Sequence, residues 1–304
     1  MAKLKIAVLG VGNIGTFHVR EFINAGAEVV ATLGSSRETA VASAEKLRSQ
    51  FHVAPKAYSE LDSLLGAEHL DAVSICTPSR MHYTQVKKCL EAGLHVLCEK
   101  PLVLNSYADN HGEANELVGL SEKQGKILTV NTQWPSVLDA IKNQTDLSKL
   151  KSFSMQMQPE TLGVDMLTEA LAHPNSMVVK LIPGGHAEEI KFEKHSKEDI
   201  GIYFKYVKED LKCDVHYKFI HKAERPRKVV FSFNGLEWRR ELGENYQQRL
   251  VTDNMAIDIE DPFRVSIGRF VGAVEGKGHP LVGKKEVIEN MVLQDSIVAA
   301  YLKQ

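Results

Sequence analysis

The sequence predicts an α/β chain: an N-terminal doubly wound parallel sheet, then an α+β domain with an open antiparallel sheet. Two observations predict the first part. Short apolar runs alternate with helical patterns up to about residue 130, and a glycine-rich turn follows the first run. One observation predicts the second part, since strand-like alternation dominates after about Trp134. We therefore expect two domains, residues 1–131 for dinucleotide binding and 132–304 for substrate binding and oligomerisation, with the option that the closing helix packs back on the first domain.

The N-terminal elements alternate in type. Continuous apolar runs predict buried strands at Lys5–Leu9, Glu28–Leu33, Leu70–Cys76, His95–Cys98 and Lys126–Val130. Helical spacing predicts helices at Phe17–Ala25, Arg37–Phe51, Met81–Ala92 and Tyr107–Gln124. Strands that alternate with helices of this length are typical of βαβ units, and such units build a parallel sheet.

The C-terminal elements follow a different order. One helix is expected at Pro135–Asn143, and a second at Met166–Leu181. Period-two alternation predicts strands at Phe153–Gln158, Ala187–His195, Ile200–Val207, Cys213–His221, Lys228–Asn234 and Glu237–Leu242. Helices at Phe263–Val274 and Lys285–Leu302 follow. Successive strands with short polar turns predict an antiparallel meander.

Composition excludes several classes of protein. With 43% hydrophobic residues in 304, the chain can fold without a metal or disulfide, and a net charge of −2 gives no basic field for nucleic acid. No apolar stretch approaches a membrane span, and the start MAKLKIAVLG has no signal-peptide pattern. The cysteines contain no CxxC pair, and no histidine joins a metal-ligand set. We expect a reduced, cytoplasmic protein without a metal.

A glycine turn after the first strand carries the first functional signal. Gly10, Gly12 and Gly15 form a GxGxxG pattern, with Asn13 and Ile14 inside it, and a helix follows. Glycines there permit a tight turn and close approach of the backbone to a pyrophosphate, and the helix N-terminus attracts its charge. The turn therefore predicts dinucleotide binding.

The end of the second strand bears on cofactor choice. About 20 residues after the glycine turn an Asp or Glu would hold the ribose hydroxyls of NAD. The chain instead has Ser35, Ser36 and Arg37, and the adjacent Glu38 is expected to open the next helix. Because hydroxyls and a guanidinium suit a 2′-phosphate, NADP is favoured, with NAD possible.

Two further motifs give a specific resemblance. Residues 76–82 read CTPSRMH after the third predicted strand, and residues 91–102 read EAGLHVLCEKPL. With the glycine turn, these segments resemble the glucose–fructose oxidoreductase / inositol dehydrogenase / MocA family, closely up to about residue 130. The resemblance implies an NAD(P)-dependent oxidoreductase. It implies cofactor contacts at Thr77, Pro78, His82, Glu99, Lys100 and Asn131.

Lys100 is the expected proton-transfer residue. It lies just past a strand's carboxyl end, where open α/β sheets bind ligands, and Pro101 restrains it to an extended backbone. A partly desolvated lysine there can exchange a proton with a substrate hydroxyl. In the resembled family this lysine has that role or binds substrate.

The resemblance implies a second catalytic element in a DxGxH-like segment. Its best match here places His173 at the histidine and Glu169 at the first acid, with Asp165 as a competing acid. On one helix Glu169 and His173 would share a face, whereas Pro174 predicts that the helix starts or kinks there. The pairing is therefore left open.

The last parallel strand is followed by Asn131, Gln133 and Trp134. The resemblance implies that this crossover lies beside nicotinamide and substrate. The amides can bind polar groups, while Trp134 is either a wall against a sugar-like ring or core. His173 and Lys100 complete the expected substrate contacts.

We expect hydride transfer between NADP and a sugar, polyol or similar small polar substrate. Two alternatives stay open: a lyase or glycosidase-like enzyme with tightly bound NAD, and a non-enzymatic NADP-responsive regulator. A homodimer or homotetramer through the C-terminal sheet is also expected, because open sheets expose a broad face.

Overall fold

The computed structural model describes residues 3–243 and 247–304, and these form two compact units. The first unit comprises residues 1–105, 112–131 and 263–287, and the second comprises residues 106–111, 132–262 and 288–304. One boundary between the units therefore falls after residue 131, but each unit is built from more than one segment of the chain. The chain returns to the first unit because Ile267, Phe270 and Val271 pack with Val19 and Phe22 in one apolar cluster.

The first unit is built on a parallel sheet with strand order β3-β2-β1-β4-β5-β6. Its strands are β1 (Lys5–Leu9), β2 (Glu28–Leu33), β3 (Lys56–Tyr58), β4 (Ala72–Ile75), β5 (His95–Cys98) and β6 (Leu128–Val130). The order reverses between β1 and β4, and open sheets bind ligands at the carboxyl ends of such strands.

Helices connect these strands. They are α1 (Asn13–Asn24), α2 (Arg37–Phe51), α3 (Leu61–Ala67), α4 (His82–Glu91) and α5 (His111–Lys123), with α9 (Pro262–Val274) joining later. The strands β1 and β4 are almost wholly buried, as expected for a sheet covered on both faces. Sequence reasoning found the other strands of this sheet but missed β3 and α3, because both are short and lack a clear apolar period.

The second unit is built on an eight-stranded sheet with order β14-β13-β12-β11-β7-β10-β9-β8. Its strands are β7 (Ser152–Met157), β8 (His186–Lys194), β9 (Asp199–Lys208), β10 (Leu211–Ile220), β11 (Val229–Phe233), β12 (Leu236–Leu242), β13 (Gln248–Val251) and β14 (Ala256–Ile259). All neighbours are antiparallel except β7 and β10, so the expected meander is corrected to a mixed sheet.

Helices cover one face of this sheet. They are α6 (Val137–Ile141), α7 (Gly163–Ala170), α8 (Ala172–Leu181) and α10 (Lys284–Leu302), which begins in the first unit. Inward residues of alternate strand positions, including Phe153, Phe231 and Tyr217, form one cluster with helical Leu167 and Ile297. The expected helix Met166–Leu181 is two helices that meet at Leu171.

Asp295 of α10 anchors a short segment of the same unit. Its carboxylate accepts the backbone N–H of Asn110 at 2.7 Å and of His111 at 2.8 Å. It also lies 2.8 Å from Nδ1 of His111, and its side chain is 8% exposed. Because His111 begins α5, this carboxylate caps the helix from a distant part of the chain.

Candidate active site

The glycine turn lies between β1 and α1. Gly10 has a φ of 84°, and a Cβ there would lie 2.8 Å from the carbonyl oxygen of Cys76. A Cβ on Gly15 would lie 2.0 Å from the carbonyl oxygen of Gly10. Both glycines are thus required by the packing of the protein itself. A Cβ on Gly12, in contrast, would meet nothing within 4 Å.

Gly12 is also the N-cap of α1, and no side chain caps this helix. Gly12 and Asn13 are exposed, and Ile14 is partly exposed. The first N–H groups of a helix have no partner within the helix. The α1 N-terminus therefore presents donors and a positive dipole end next to open space.

The end of β2 carries Ser35, Ser36 and Arg37. Ser36 caps α2, accepting from the backbone N–H of Thr39, while the Thr39 hydroxyl accepts from the Ser36 backbone N–H. Ser35 and Arg37 are exposed. Hydrogen bonding to Ser36 lowers the pKa of Glu38, which is exposed in the first turn of α2. The cap explains Ser36 in structural terms and leaves Ser35 and Arg37 accessible.

The turn after β4 is tied to the turn after β5. The His82 ring is 1% exposed, with Nδ1 2.7 Å from the carbonyl oxygen of Pro101 and Nε2 2.9 Å from that of Thr77. The Thr77 hydroxyl donates to Gln85 at 2.5 Å, and Pro78 is exposed. The enclosed His82 ring therefore joins the two turns, and a cofactor contact at His82 stays a prediction.

Glu99 lies at the centre of a buried polar network. Its Oε1 is 2.9 Å from Nε2 of His18 and accepts from Nδ2 of Asn131 at 2.6 Å. The other ring nitrogen of His18 lies 2.8 Å from the hydroxyl of Ser74 on β4. The side chain of His18 is fully buried, and that of Glu99 is 13% exposed. The network therefore joins α1, β4, β5 and the end of β6.

Both ends of this ion pair are charged at neutral pH. Burial alone opposes protonation of His18, but Cys76 and Glu99 outweigh it and raise its pKa to about 10. Burial likewise opposes ionisation of Glu99, but the hydrogen bond from His18, the charges of His18 and Lys100 and the Asn131 bond lower its pKa to about 2. Glu99 thus supports the neighbouring Lys100 segment from the buried side, and its carboxylate is hydrogen-bonded to His18 and Asn131.

Lys100 lies two residues beyond the end of β5 and is partly buried. Its backbone N–H is 3.4 Å from Oε2 of Glu99, and the bond to Pro101 is cis. The backbone on both sides of Lys100 is therefore fixed, by Glu99 before it and by the His82 contact with Pro101 after it. The lysine is held at the carboxyl edge of the sheet, where the glycine turn also lies.

The histidine segment of the second unit begins a new helix. α7 ends at Ala170, and α8 begins at Ala172, so Pro174 occupies the first turn of α8, where proline is tolerated. Glu169 and His173 are both partly buried on opposite sides of this junction, whereas Asp165 is exposed. The start of a new helix beside Pro174 agrees with the expected start or kink, and the pairing of His173 with Glu169 or Asp165 stays a prediction.

The segment after β6 is mostly enclosed. Asn131 is 1% exposed and Trp134 is 4% exposed, while Gln133 is partly exposed. Trp134 packs edge-on against Phe231 with ring centroids 5.5 Å apart and belongs to the core cluster of the second unit. The structure therefore gives Trp134 the core role of the two alternatives considered.

Residues 4–132 match a family model described as the oxidoreductase family with an NAD-binding Rossmann fold, named for its Gfo, Idh and MocA members. The match is confined to residues 4–132, so this part of the chain resembles the NAD-binding domain of that family.

Two curated relatives match part of the chain. UDP-N-acetylglucosamine 3-dehydrogenase of Acidithiobacillus ferrooxidans is 30% identical over 43% of this chain and 37% of its own length. Inositol 2-dehydrogenase of Rhodococcus erythropolis is 39% identical over 34% of this chain and 29% of its own. The chain thus spans about a third of the length of the curated relatives it matches, 34% and 37% for the first two.

Solved structures match over nearly the whole fold. Myo-inositol 2-dehydrogenase of Lactobacillus plantarum superposes with a TM-score of 0.76 at 15% identity, covering 99% of this chain and 98% of that one. UDP-N-acetylglucosamine 3-dehydrogenase GnnA of A. ferrooxidans gives 0.75 at 17% identity, covering 99% and 98%. At such identities the likeness concerns the fold alone.

The first unit fits the nicotinamide dinucleotide of this family on its own geometry. Open space at Gly12 leaves room for a pyrophosphate at the uncapped N-terminus of α1. The Oδ1 atom of Asn131 is buried and accepts no hydrogen bond among the described residues, so it leaves an acceptor at the same edge of the sheet. The residues that would hold the dinucleotide are therefore Gly12, Asn13, Ile14 and Asn131.

Sequence reasoning missed His18. It lies three residues after Gly15, on the buried face of α1 beside Val19 and Phe22. A histidine at that position in an otherwise apolar stripe was the available signal. Its partner is 81 positions away, and a contact at that separation is invisible to local periodicity.

Other expectations concern absences. No group of three or more potential metal ligands is found in residues 3–243 and 247–304. Within the same ranges no helix is both long and apolar enough to cross a membrane. Cys98 is fully buried, and burial raises the pKa of its thiol well above the ordinary value, which argues against a nucleophile.

Proposed function

We propose that this chain is an NAD(P)-dependent oxidoreductase that moves a hydride between nicotinamide and a hydroxyl or carbonyl carbon of a sugar, polyol or similar small polar substrate. The printed names of the curated relatives, UDP-N-acetylglucosamine 3-dehydrogenase and inositol 2-dehydrogenase, support the reaction class. The observation that carries the proposal is the position of Lys100 at the same sheet edge as an open, uncapped glycine turn.

When bound, a nicotinamide supplies the acceptor or donor of hydride at its C4. The chain supplies the group that transfers the proton. In oxidation Nζ of Lys100 takes the hydroxyl proton, and in reduction it returns a proton to the carbonyl oxygen. His173 of the second unit is a further proposed hydrogen-bonding residue for substrate, with Glu169 as its candidate partner. Gln133 is the proposed polar contact from the segment after β6.

NADP is the proposed preferred form of the cofactor. No carboxylate ends β2, and the only acid nearby, Glu38, is hydrogen-bonded at the start of α2. Arg37 is exposed at the N-terminus of the same helix, with Ser35 beside it. A guanidinium at a helix N-terminus is suited to a 2′-phosphate and offers nothing to a 2′-hydroxyl that requires an acceptor.

Calorimetric titration with NADP(H) and NAD(H) tests the cofactor. Arg37→Ala should weaken NADP(H) binding about 10- to 100-fold and leave NAD(H) unchanged, the range for one charge-assisted bond. Arg48→Ala is the matched control, since Arg48 is exposed in the last turn of the same helix and should have no effect. Tighter binding of NAD(H) by the wild type would overturn the NADP assignment.

Lys100→Met tests the reaction. Turnover of a sugar and polyol panel should fall about 100-fold or more, because a positioned acid–base group contributes that much, while cofactor affinity is kept. Unchanged turnover in Lys100→Met would remove the proton-transfer role. A cofactor that copurifies, does not exchange and is not consumed in net turnover would replace the dehydrogenase proposal with the lyase-like one.

We further propose self-association through the outer face of the second sheet. Tyr203 is 39% exposed there and stacks on His216 at 4.1 Å between centroids. The two rings line an open groove of about 380 Å³ with Lys205 and Asp214. Sedimentation should give a dimer or tetramer that Tyr203→Glu converts to monomer. A wild type that is monomeric at micromolar concentration would refute the proposal.

A further inference from the structure

Arg240 on β12 is the feature that the proposed reaction does not yet use. Its side chain is partly buried on the same face of the strand as Trp238, and its guanidinium carbon lies 5.7 Å from the ring centroid of Trp134. One nitrogen, Nη2, donates to the carbonyl oxygen of Arg227 at 3.2 Å. The Nε atom is buried and has no hydrogen-bond acceptor among the described residues.

The charge of Arg240 has no partner of opposite sign in contact. Within the described part of the chain, no carboxylate lies within 4 Å of its guanidinium. Burial lowers the pKa of Arg240, whereas the negative charge of Asp261 raises it and, to a smaller extent, the positive charge of Arg225 lowers it. A partly buried guanidinium without a counter-ion is costly, so a ligand anion at this position would be stabilised.

The neighbouring residue on the strand shows the contrast. Arg239 faces the opposite side of β12 and has two acidic partners, Glu237 at 3.3 Å and Asp253 at 3.0 Å. Two adjacent arginines with the same charge therefore differ in pairing. The unpaired one faces the side of the sheet that carries the helices and Trp134.

The loop that contacts Arg240 is also rich in unsatisfied donors. Arg227 is partly buried, and its Nη2 donates to Glu160 at 2.6 Å. Its Nε, like Nδ1 of His221, is buried without a hydrogen-bond partner among the described residues. Glu160 pairs with Arg227, whereas Arg240 has no carboxylate within 4 Å among the described residues.

We propose that Arg240 is the specificity-determining residue of an anion-binding subsite in the second unit, and that it takes a carboxylate or phosphate carried by the substrate. This inference rests on the proposed dehydrogenase function. Trp134 links the subsite to the expected substrate segment, since it lies four residues beyond the end of β6 along the chain. A guanidinium fork recognises either anion through paired N–H donors, and its charge discriminates against neutral analogues.

The test is a titration that requires neither cofactor nor turnover. The probes are inorganic phosphate, D-glucuronate and neutral D-glucose, at ionic strength held constant with chloride. The readouts are tryptophan fluorescence, since Trp134 and Trp238 are the only two in the chain, and the thermal midpoint. The variants are Arg240→Gln, its matched control Arg239→Gln, and Arg240→Lys, which keeps the charge without the fork.

Wild type and Arg239→Gln should bind one or both anions saturably, and glucose should give no response. Arg240→Gln should bind about 10- to 100-fold more weakly, with Arg240→Lys between. The stronger of the phosphate and glucuronate responses identifies the anion. Equal affinities in Arg240→Gln and Arg239→Gln, or no saturable response in the wild type, would overturn the subsite. Failure of NADP(H) titration with anion binding intact would refute the oxidoreductase alone.

Discussion

Replacement of Glu99 by glutamine tests whether a charged pair inside the first unit holds the segment of the proposed proton-transfer lysine. The change keeps the shape of the side chain but removes the carboxylate 2.9 Å from the fully buried His18. The imidazolium would then be buried without its counter-charge, and it must lose its proton or destabilise the fold.

The expected cost follows from the pKa of His18. A value of about 10 in the folded protein, against 6.5 for an ordinary histidine, corresponds to about 4 kcal/mol of stability at pH 7, to which Cys76 contributes as well as Glu99. Removal of one member of a buried pair typically costs about 3–5 kcal/mol, which agrees. Because glutamine still accepts from Nδ2 of Asn131, we expect a loss of about 3 kcal/mol.

The sign of the pH dependence is also fixed. The folded-state pKa of His18 is raised, so its contribution is complete below pH 6.5 and is lost as the pH rises through about 10. The pKa of Glu99 is lowered to about 2, so its contribution is complete above pH 4.5 and is lost only as the pH falls through about 2. The difference between wild type and Glu99→Gln should therefore shrink by about 3 kcal/mol between pH 6 and pH 9.

Urea unfolding followed by far-ultraviolet circular dichroism measures this difference at both pH values. Tryptophan fluorescence follows the second unit separately, because both tryptophans lie there. Glu116→Gln is the control, since Glu116 pairs with Lys87 at 2.6 Å on the surface and its replacement should destabilise the fold far less than Glu99→Gln. A loss below about 1 kcal/mol in Glu99→Gln at pH 6, or a difference independent of pH, would refute the reasoning.

Gly15→Ala and Gly12→Ala separate the packing of the glycine turn from dinucleotide binding. Gly15→Ala would place a Cβ 2.0 Å from the carbonyl oxygen of Gly10 and should lower the thermal midpoint, whereas Gly12→Ala should keep stability and weaken dinucleotide binding in calorimetry. Equal effects of both on stability would contradict the open space at Gly12. Asp295→Asn should destabilise the chain by about 2–3 kcal/mol, because its carboxylate accepts two buried backbone N–H groups, while Asp139→Asn on the surface should be neutral in the same urea assay.

The N-terminal half of the candidate site was readable from the sequence because its elements are local. Arg37–Phe51 and His95–Cys98 were predicted with the bounds that the structure has. The GxGxxG pattern by itself indicates a tight turn, and the structure agrees, since two of its glycines cannot carry a Cβ. The contacts of His82 could not be predicted from local sequence patterns, because its ring lies between two carbonyl oxygens that come from separate turns.

The sequence by itself determined the two classes of sheet and the dinucleotide turn, because each depends on residue order over short spans. Only the tertiary structure decided which polar groups meet. The His18–Glu99 pair joins residues 81 positions apart, and Trp134 became core through its contact with Phe231. Arg239 and Arg240 are the same residue type and adjacent in sequence. Because side chains alternate along β12, they face opposite sides of the sheet, and only Arg239 has acidic partners among the described residues. Burial and pairing depend on what the fold places opposite a side chain, and that information is distributed over the whole chain.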